Sequence, residues 1–333
     1  MSSPGTFTPA EAVELAVVER SGFVESRHIG SAVVLSPDGT VAQRFGSPDA
    51  PVFPRSSLKP FQALAVLNAG VPLRDEHAAL ATASHAGTSR HVSVVRAMLA
   101  SAALSEDALQ CPADWPSDRR ARDEVVAAGL GPSRVAMNCS GKHAAMLLAC
   151  VANGWPVDSY LDAAHPMQAA VRDTVERLTG ERPAATAVDG CGAPVLAIGL
   201  TALARGIQKI ATSSLSSPFA LYRNAAIIVD AVRRHPWALD GVGRDNTVVI
   251  ERLGVFAKGG AEGVMVMTAP DGTTVTSKTL DGSSRAATVV ALALLVDAGA
   301  LEASAVDEVV PELHLDVLGG GAPVGRIRSV VGR

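Results

Sequence analysis

Phe53-Pro54-Arg55-Ser56-Ser57-Leu58-Lys59-Pro60-Phe61-Gln62 is the point at which a strand-like N-terminal region gives way to helical spacing. A serine three residues before a lysine places both side chains on one face of a first helical turn. A lysine without its proton could take the serine's, so Ser56 and Lys59 read as a nucleophile and its base. Pro60 suits that turn, because amides at the start of a helix have no intrahelical partners. The apolar run from Phe61 to Leu67 continues the helix.

Working outward toward the N-terminus, Val13 to Val18 is rich in β-branched valine and reads as a strand. Ser31-Ala-Val-Val-Leu35, the turn Ser-Pro-Asp-Gly39 and Thr40 to Phe45 form a hairpin signature. Beyond Ser57, apolar residues at helical spacing predict helices over 75–82, 90–100, 144–151, 167–178, 194–205 and 218–233. Strands are expected again at 246–251 and 263–268, then at 273–279 after the turn Ala269-Pro-Asp-Gly272, and a helix at 283–298. This order implies an α+β fold, one antiparallel sheet assembled from both ends of the chain with helices packed on it. Residues 1–333 read as a single domain, in which about 57–240 could be drawn as a helical subdomain.

Composition limits the function classes. The chain has 333 residues, 48% hydrophobic and 19% charged, which suits a large buried core. A net charge of -4 without a basic tract gives no support for nucleic-acid binding. The apolar run Ala287 to Val296 is too short to span a bilayer, so no membrane partner is expected. Met1-Ser-Ser-Pro-Gly5 has no basic segment leading into an apolar core. The four cysteines include no C-x-x-C pair, which fits a reducing compartment. A cytoplasmic location is therefore expected.

Five glycine- or serine-rich islands fall at element boundaries: Arg55 to Lys59, Ala83-Ser-His-Ala-Gly87, Asn138-Cys-Ser-Gly-Lys-His143, Asp189-Gly-Cys-Gly-Ala-Pro194 and Ala257-Lys-Gly-Gly-Ala-Glu-Gly263. Small residues there let backbone amides approach a ligand, and helix N-termini favour an oxyanion. On the residues alone, Ser84 reads equally as a helix-end cap, and Lys258 as a solvated lysine at a strand end. Cys139 and Cys191 read as a metal pair or as two buried structural thiols. Asp189 could bind an α-ammonium or cap the following helix. Arg55 and His143 read as pocket residues, and Glu262 as a supporting acid or a strand-entry charge.

In this order the five islands resemble the signature blocks of the rhizobial-type L-asparaginase II family, over roughly residues 10 to 330. The resemblance implies a fold similar to serine β-lactamases and glutaminases, and hydrolysis of L-asparagine to L-aspartate and ammonia through an acyl-enzyme. It implies Ser56 as nucleophile, Lys59 as its base, and a second pair, Ser84 with Lys258, in the same pocket. It also implies a zinc site at Cys139, Lys142 and Cys191, with no organic cofactor, and a homodimer. Cys111 and Cys150 match no metal block. The second island continues as Thr88-Ser-Arg-His91, where the resemblance leads one to expect an acidic residue near Thr88; its absence bears on substrate choice. Glutamine or a related amide is an alternative substrate, since one methylene changes discrimination by only about 1–3 kcal/mol. A β-lactam-directed enzyme would carry Ser-Asp-Asn and Lys-Thr-Gly, and the nearest approach is Lys278-Thr279-Leu280. A non-catalytic zinc or amino-acid binding protein on the same fold is the reading from another class.

Overall fold

The computed structural model describes residues 5–332. The N-terminal part forms β1 (Val13–Arg20), β2 (Phe23–Leu35) and β3 (Val41–Phe45). A 3-10 turn over Arg55–Leu58 then leads into α1 (Lys59–Asn68), with Pro60 in its first turn. The helices α2 (Asp75–Ala81), α3 (Ser89–Ser101), α4 (Arg119–Ala127), α5 (Ser140–Asn153) and α6 (Pro166–Thr179) follow. A two-stranded ribbon, β4 (Ala185–Val188) and β5 (Pro194–Ala197), interrupts the helical block before α7 (Leu200–Ala211), α8 (Ala220–Arg234), α9 (Pro236–Leu239) and α10 (Asp245–Leu253). The C-terminal part contributes β6 (Phe256–Gly260), β7 (Val264–Thr268), β8 (Thr274–Thr279), α11 (Ala287–Asp297), α12 (Ala303–Val309), β9 (Asp316–Gly319) and β10 (Ala322–Ser329).

The fold is α+β. Strands from the two ends of the chain interleave in one sheet, in the order β6-β7-β8-β2-β1-β10-β9, with β3 paired to β2. All the pairings are antiparallel. The pivotal pairing is β2 with β8, which sets Ser31 opposite Lys278 and Leu35 opposite Thr274. Ser31-Ala-Val-Val-Leu35 lacks polar alternation because both of its faces are covered. Ala32 and Val34 enter the main core, whereas Val33 and Leu35 pack with Leu200 and Ala204 of α7.

Two sequence expectations are corrected. Asn246–Glu251 was read as a strand from its Thr-Val-Val-Ile core, but it lies inside α10. Helix propensity costs β-branched residues only about 0.5 kcal/mol each. Burial of Val248, Val249 and Ile250 outweighs that cost, and Gly254 closes the helix in the left-handed conformation. Pro194–Arg205 was read as one helix, but its first four residues are β5. They pair with β4, Ala185 opposite Ala197, and Pro194 stands at the strand's start, where a missing N–H is tolerated. The helix begins only after Gly199.

Ridge contacts between helices position the Ser-x-x-Lys turn. Phe61 on α1 is fully buried and its ring lies against the bare backbone of α7, where a Cβ on Gly206 would come within 2.6 Å of the ring. Phe61→Ala is expected to lower stability by about 3–5 kcal/mol, seen as a shifted urea midpoint with an unchanged slope.

Candidate active site

The Ser-x-x-Lys turn is fastened to the edge of the sheet. Ser57 Oγ donates to Lys258 O at 3.0 Å, and only glycine fits beside it, because a Cβ on Gly260 would lie 2.5 Å from Pro54 O. β6 is the outermost strand, so its residues face the turn directly. On its other side Asn246 takes the N–H of Gly259 at 3.1 Å and donates to Asp240 at 2.8 Å.

Within this frame the islands converge. Lys59, at 1% exposure, places Nζ 2.9 Å from Ser84 Oγ and 2.5 Å from Ala83 O. Lys258, equally buried, places Nζ 2.9 Å from the same hydroxyl and 2.8 Å from Gly259 O. Ser84 thus lies between both lysines. Ser56, half-buried in the 3-10 turn, makes no side-chain hydrogen bond among the described residues. Lys59 hydrogen-bonds Ser84 rather than Ser56, so Lys59, Ser84 and Lys258 form one chain of contacts, and the Ser56–Lys59 pair expected from the sequence is not hydrogen-bonded. Burial, with the neighbouring Lys59 charge, pushes the Lys258 ammonium down to about 7.

Next to this chain lie two thiols and a third lysine. Lys142 Nζ is 3.0 Å from Cys191 Sγ, and Asn138 Oδ1 is 3.0 Å from Cys139 Sγ. Cys191 shares a hydrogen bond with Cys139, which holds the Cys139 thiol well below its usual range against the effect of burial; the Lys59 and Lys142 charges act in the same direction. The same hydrogen bond and burial push Cys191 up. Lys142 is itself raised: burial opposes its charge, but its contacts with Cys191 and Cys139 outweigh that penalty. Among the described residues no group of three or more His, Cys, Asp and Glu side chains could hold a metal ion. A metal held by Cys139 and Cys191 would need Lys142 as its third donor, which requires that amine to give up the proton it now directs at Cys191. Cys111 and Cys150 are buried elsewhere in the core, their thiols pushed up to about 11 by burial.

Arg55 and Asp189 close the site on a third side. Arg55 Nε donates to Asp189 Oδ1 at 2.7 Å, and the Gly190 N–H donates to the same oxygen at 2.8 Å. Despite burial, Lys142 and Arg55 hold the Asp189 carboxyl below its ordinary value. Glu262 stands 3.7 Å from the Arg55 guanidinium. Thr88 is the N-cap of α3, and its hydroxyl pairs with His91 Nδ1 at 2.7 Å. His91 in turn bonds Trp237 O, so the Thr88 side chain is engaged there.

A profile of the L-asparaginase II family matches residues 16–329. The chain belongs to the L-asparaginase II family. Membership points to an amidohydrolase acting on a small-molecule amide. No curated protein matches the chain in sequence. Among solved structures, this asparaginase II chain resembles Mglu at 14% identity and TM-score 0.46, covering 81% of this chain and 67% of that one. Mglu in its tris and glutamate form aligns at 14% identity and TM-score 0.47, covering 86% and 63%. The asparaginase II chain thus spans about two thirds of the Mglu length. A Bacillus glutaminase aligns at 12% identity and TM-score 0.41, covering 76% and 84%.

Three residues of this asparaginase II site carry no signal in the sequence motifs: Asp240, Asn246 and Tyr160. Tyr160 is fully buried, accepts the Gln110 N–H at 3.0 Å and lies 2.7 Å from His143 Nδ1. With the tyrosine proton given to Nδ1, His143 carries its own on Nε2, a buried atom without a partner among the described residues. Burial, with Lys142 and Lys59 nearby, holds His143 neutral by pushing its pKa well down. A buried tyrosine demands a partner for its hydroxyl, and that was the one available clue. Tyr160→Phe is expected to cost about 1–3 kcal/mol of stability. By freeing the His143 tautomer it should also lower kcat roughly tenfold. An unchanged kcat in a folded variant would leave Tyr160 with a packing role alone.

Proposed function

We propose that this amidohydrolase converts L-asparagine to L-aspartate and ammonia through an acyl-enzyme on Ser56. The observation that carries the reading is the Ser84 hydroxyl, 2.9 Å from both Lys59 Nζ and Lys258 Nζ. A hydroxyl between two amines can accept a proton from one as it gives its own to the other. With Lys258 titrating at about 7, a proton can move from Lys59 through Ser84 to Lys258. Lys59 then has a lone pair for the Ser56 proton.

Ser56 Oγ attacks the side-chain amide carbon, and Lys59 takes its proton. The tetrahedral centre collapses as the same proton passes to the amide nitrogen, releasing ammonia and leaving an aspartyl ester on Ser56. Water gives a proton to the same amine chain and attacks the ester carbon; the bond to Ser56 Oγ breaks, that proton returns to Oγ, and aspartate is released. Asp189, held by Arg55 and the Gly190 N–H through Oδ1, keeps Oδ2 for the substrate ammonium. The His143 Nε2–H is a donor for a substrate oxygen.

Cys139, Lys142 and Cys191 would hold a zinc ion, whose acidity would polarise an oxygen bound at its open position. Metal analysis of the purified protein is expected to find about one zinc per chain. Zinc retained after Cys139→Ser with Cys191→Ser would remove that assignment. A homodimer is proposed on the family resemblance, with sedimentation as its check.

Ammonia release from asparagine tests the main reading. Ser56→Ala and Lys258→Ala are each expected to lower kcat at least ~100-fold. The base requires Lys258 without its proton, a form that accumulates as pH rises through about 7, so kcat should climb on that limb. Undiminished turnover by Ser56→Ala would transfer the nucleophile role to another group.

A further inference from the structure

A cavity of about 360 Å³ opens beside the catalytic cluster and shares with it, among the ten predicted site residues, only Arg55. That volume lies within the range of small-molecule sites. Val52, Phe53, Ala185 and Ala197 give it an apolar wall. Arg55, Lys278 and Glu262 supply its charge. None of the five islands contains Lys278, and the proposed hydrolysis gives it no task.

Lys278 is 8% exposed. Its ammonium donates to Glu262 O at 2.7 Å and to Thr279 O at 2.9 Å. A lysine ammonium has three hydrogens, so one remains unassigned in a group that lines the cavity. Burial weighs most against the Lys278 charge; Glu262 and Asp281 support it, and the Arg55 charge opposes it to a smaller extent. An anion seated between Arg55 and Lys278 would take up that third ammonium hydrogen and meet the guanidinium on its other side. The backbone at the rim is also held in place at a cost. Arg55 at φ 52° and Glu262 at φ 62° both occupy the left-handed region, which disfavours residues with a Cβ.

We infer that this cavity binds a small amphiphilic monocarboxylate, its carboxylate on Lys278 and Arg55 and its apolar body against Phe53, Val52 and Ala197. Because Arg55 also holds Asp189 at 2.7 Å, occupancy bears on the catalytic cluster through that one side chain. Arg55 aside, the lining is separate from the residues assigned to the substrate, so the site does not depend on asparagine being that substrate.

Calorimetric titration of the full chain with 3-phenylpropanoate tests this, with 3-phenylpropan-1-ol as the uncharged probe. The acid is expected to bind at least about tenfold more tightly than the alcohol. Lys278→Met should weaken the acid about tenfold and leave the alcohol unchanged. Ala185 lies on the exposed ribbon, so Ala185→Trp should fold normally, fill the cavity and abolish binding of both probes. Saturating aspartate should not displace the acid. Equal binding of acid and alcohol, binding that survives Ala185→Trp, or displacement by aspartate would each overturn the inference. None of these readings requires turnover, so failure of the proposed hydrolysis would be seen separately.

Discussion

Three lysine side chains, Lys59, Lys142 and Lys258, are buried to within 2% of complete enclosure around one serine and two thiols. Two like charges about 4 Å apart repel by about 4 kcal/mol even at an effective dielectric of 20. Such a cluster persists only where protons are shared out unequally. Here the division follows from contacts. Lys142, against Cys191, keeps its charge, whereas Lys258, which meets one backbone carbonyl and a neutral hydroxyl, gives its proton up readily. The remaining architecture serves to hold these groups at that spacing. The sheet edge fixes Lys258, the α1 entry turn fixes Lys59, and the end of α2 delivers Ser84.

Much of this was legible in the sequence, for physical reasons. The hairpins at 31–45 and 264–279 carry turn chemistry that local sequence encodes directly, and both strands of each form near the expected residues. Helices with long apolar stripes, such as α6 and α8, were equally plain. Asn246–Glu251 was misread because β-branched content reports what packs on a surface, and the surface is supplied by distant residues. The ribbon at 185–197 was missed because four-residue strands give too few alternations to distinguish from a helix start.

The candidate residues themselves were visible because glycine and serine at element boundaries are hard to explain by packing. Their partnership was less so. Ser56 and Lys59 are neighbours in sequence, and neighbourhood suggested a pair, yet Lys59 bonds Ser84, 25 residues on. Side-chain direction in a tight turn depends on what fills the space beyond it, and Ala83 O and the Ser84 hydroxyl fill it here. Tyr160 and Asn246 were invisible for a related reason. Each acts by completing another group's hydrogen bonds, and nothing local marks a residue for that duty.

The interleaving of chain ends has a consequence for synthesis on the ribosome. Ser84 and Lys258 lie 174 residues apart, and Lys258 is carried by a strand that joins the sheet through β7 and β8 to β2. A nascent chain that has emerged only as far as α10 already displays the Ser-x-x-Lys turn, both thiols, Lys142 and Ser84, but lacks Lys258. Long-range closure of this kind is slow compared with helix formation. The cluster of buried amines is therefore assembled late, after the helices exist to shield it, and the nascent chain never has to carry it exposed.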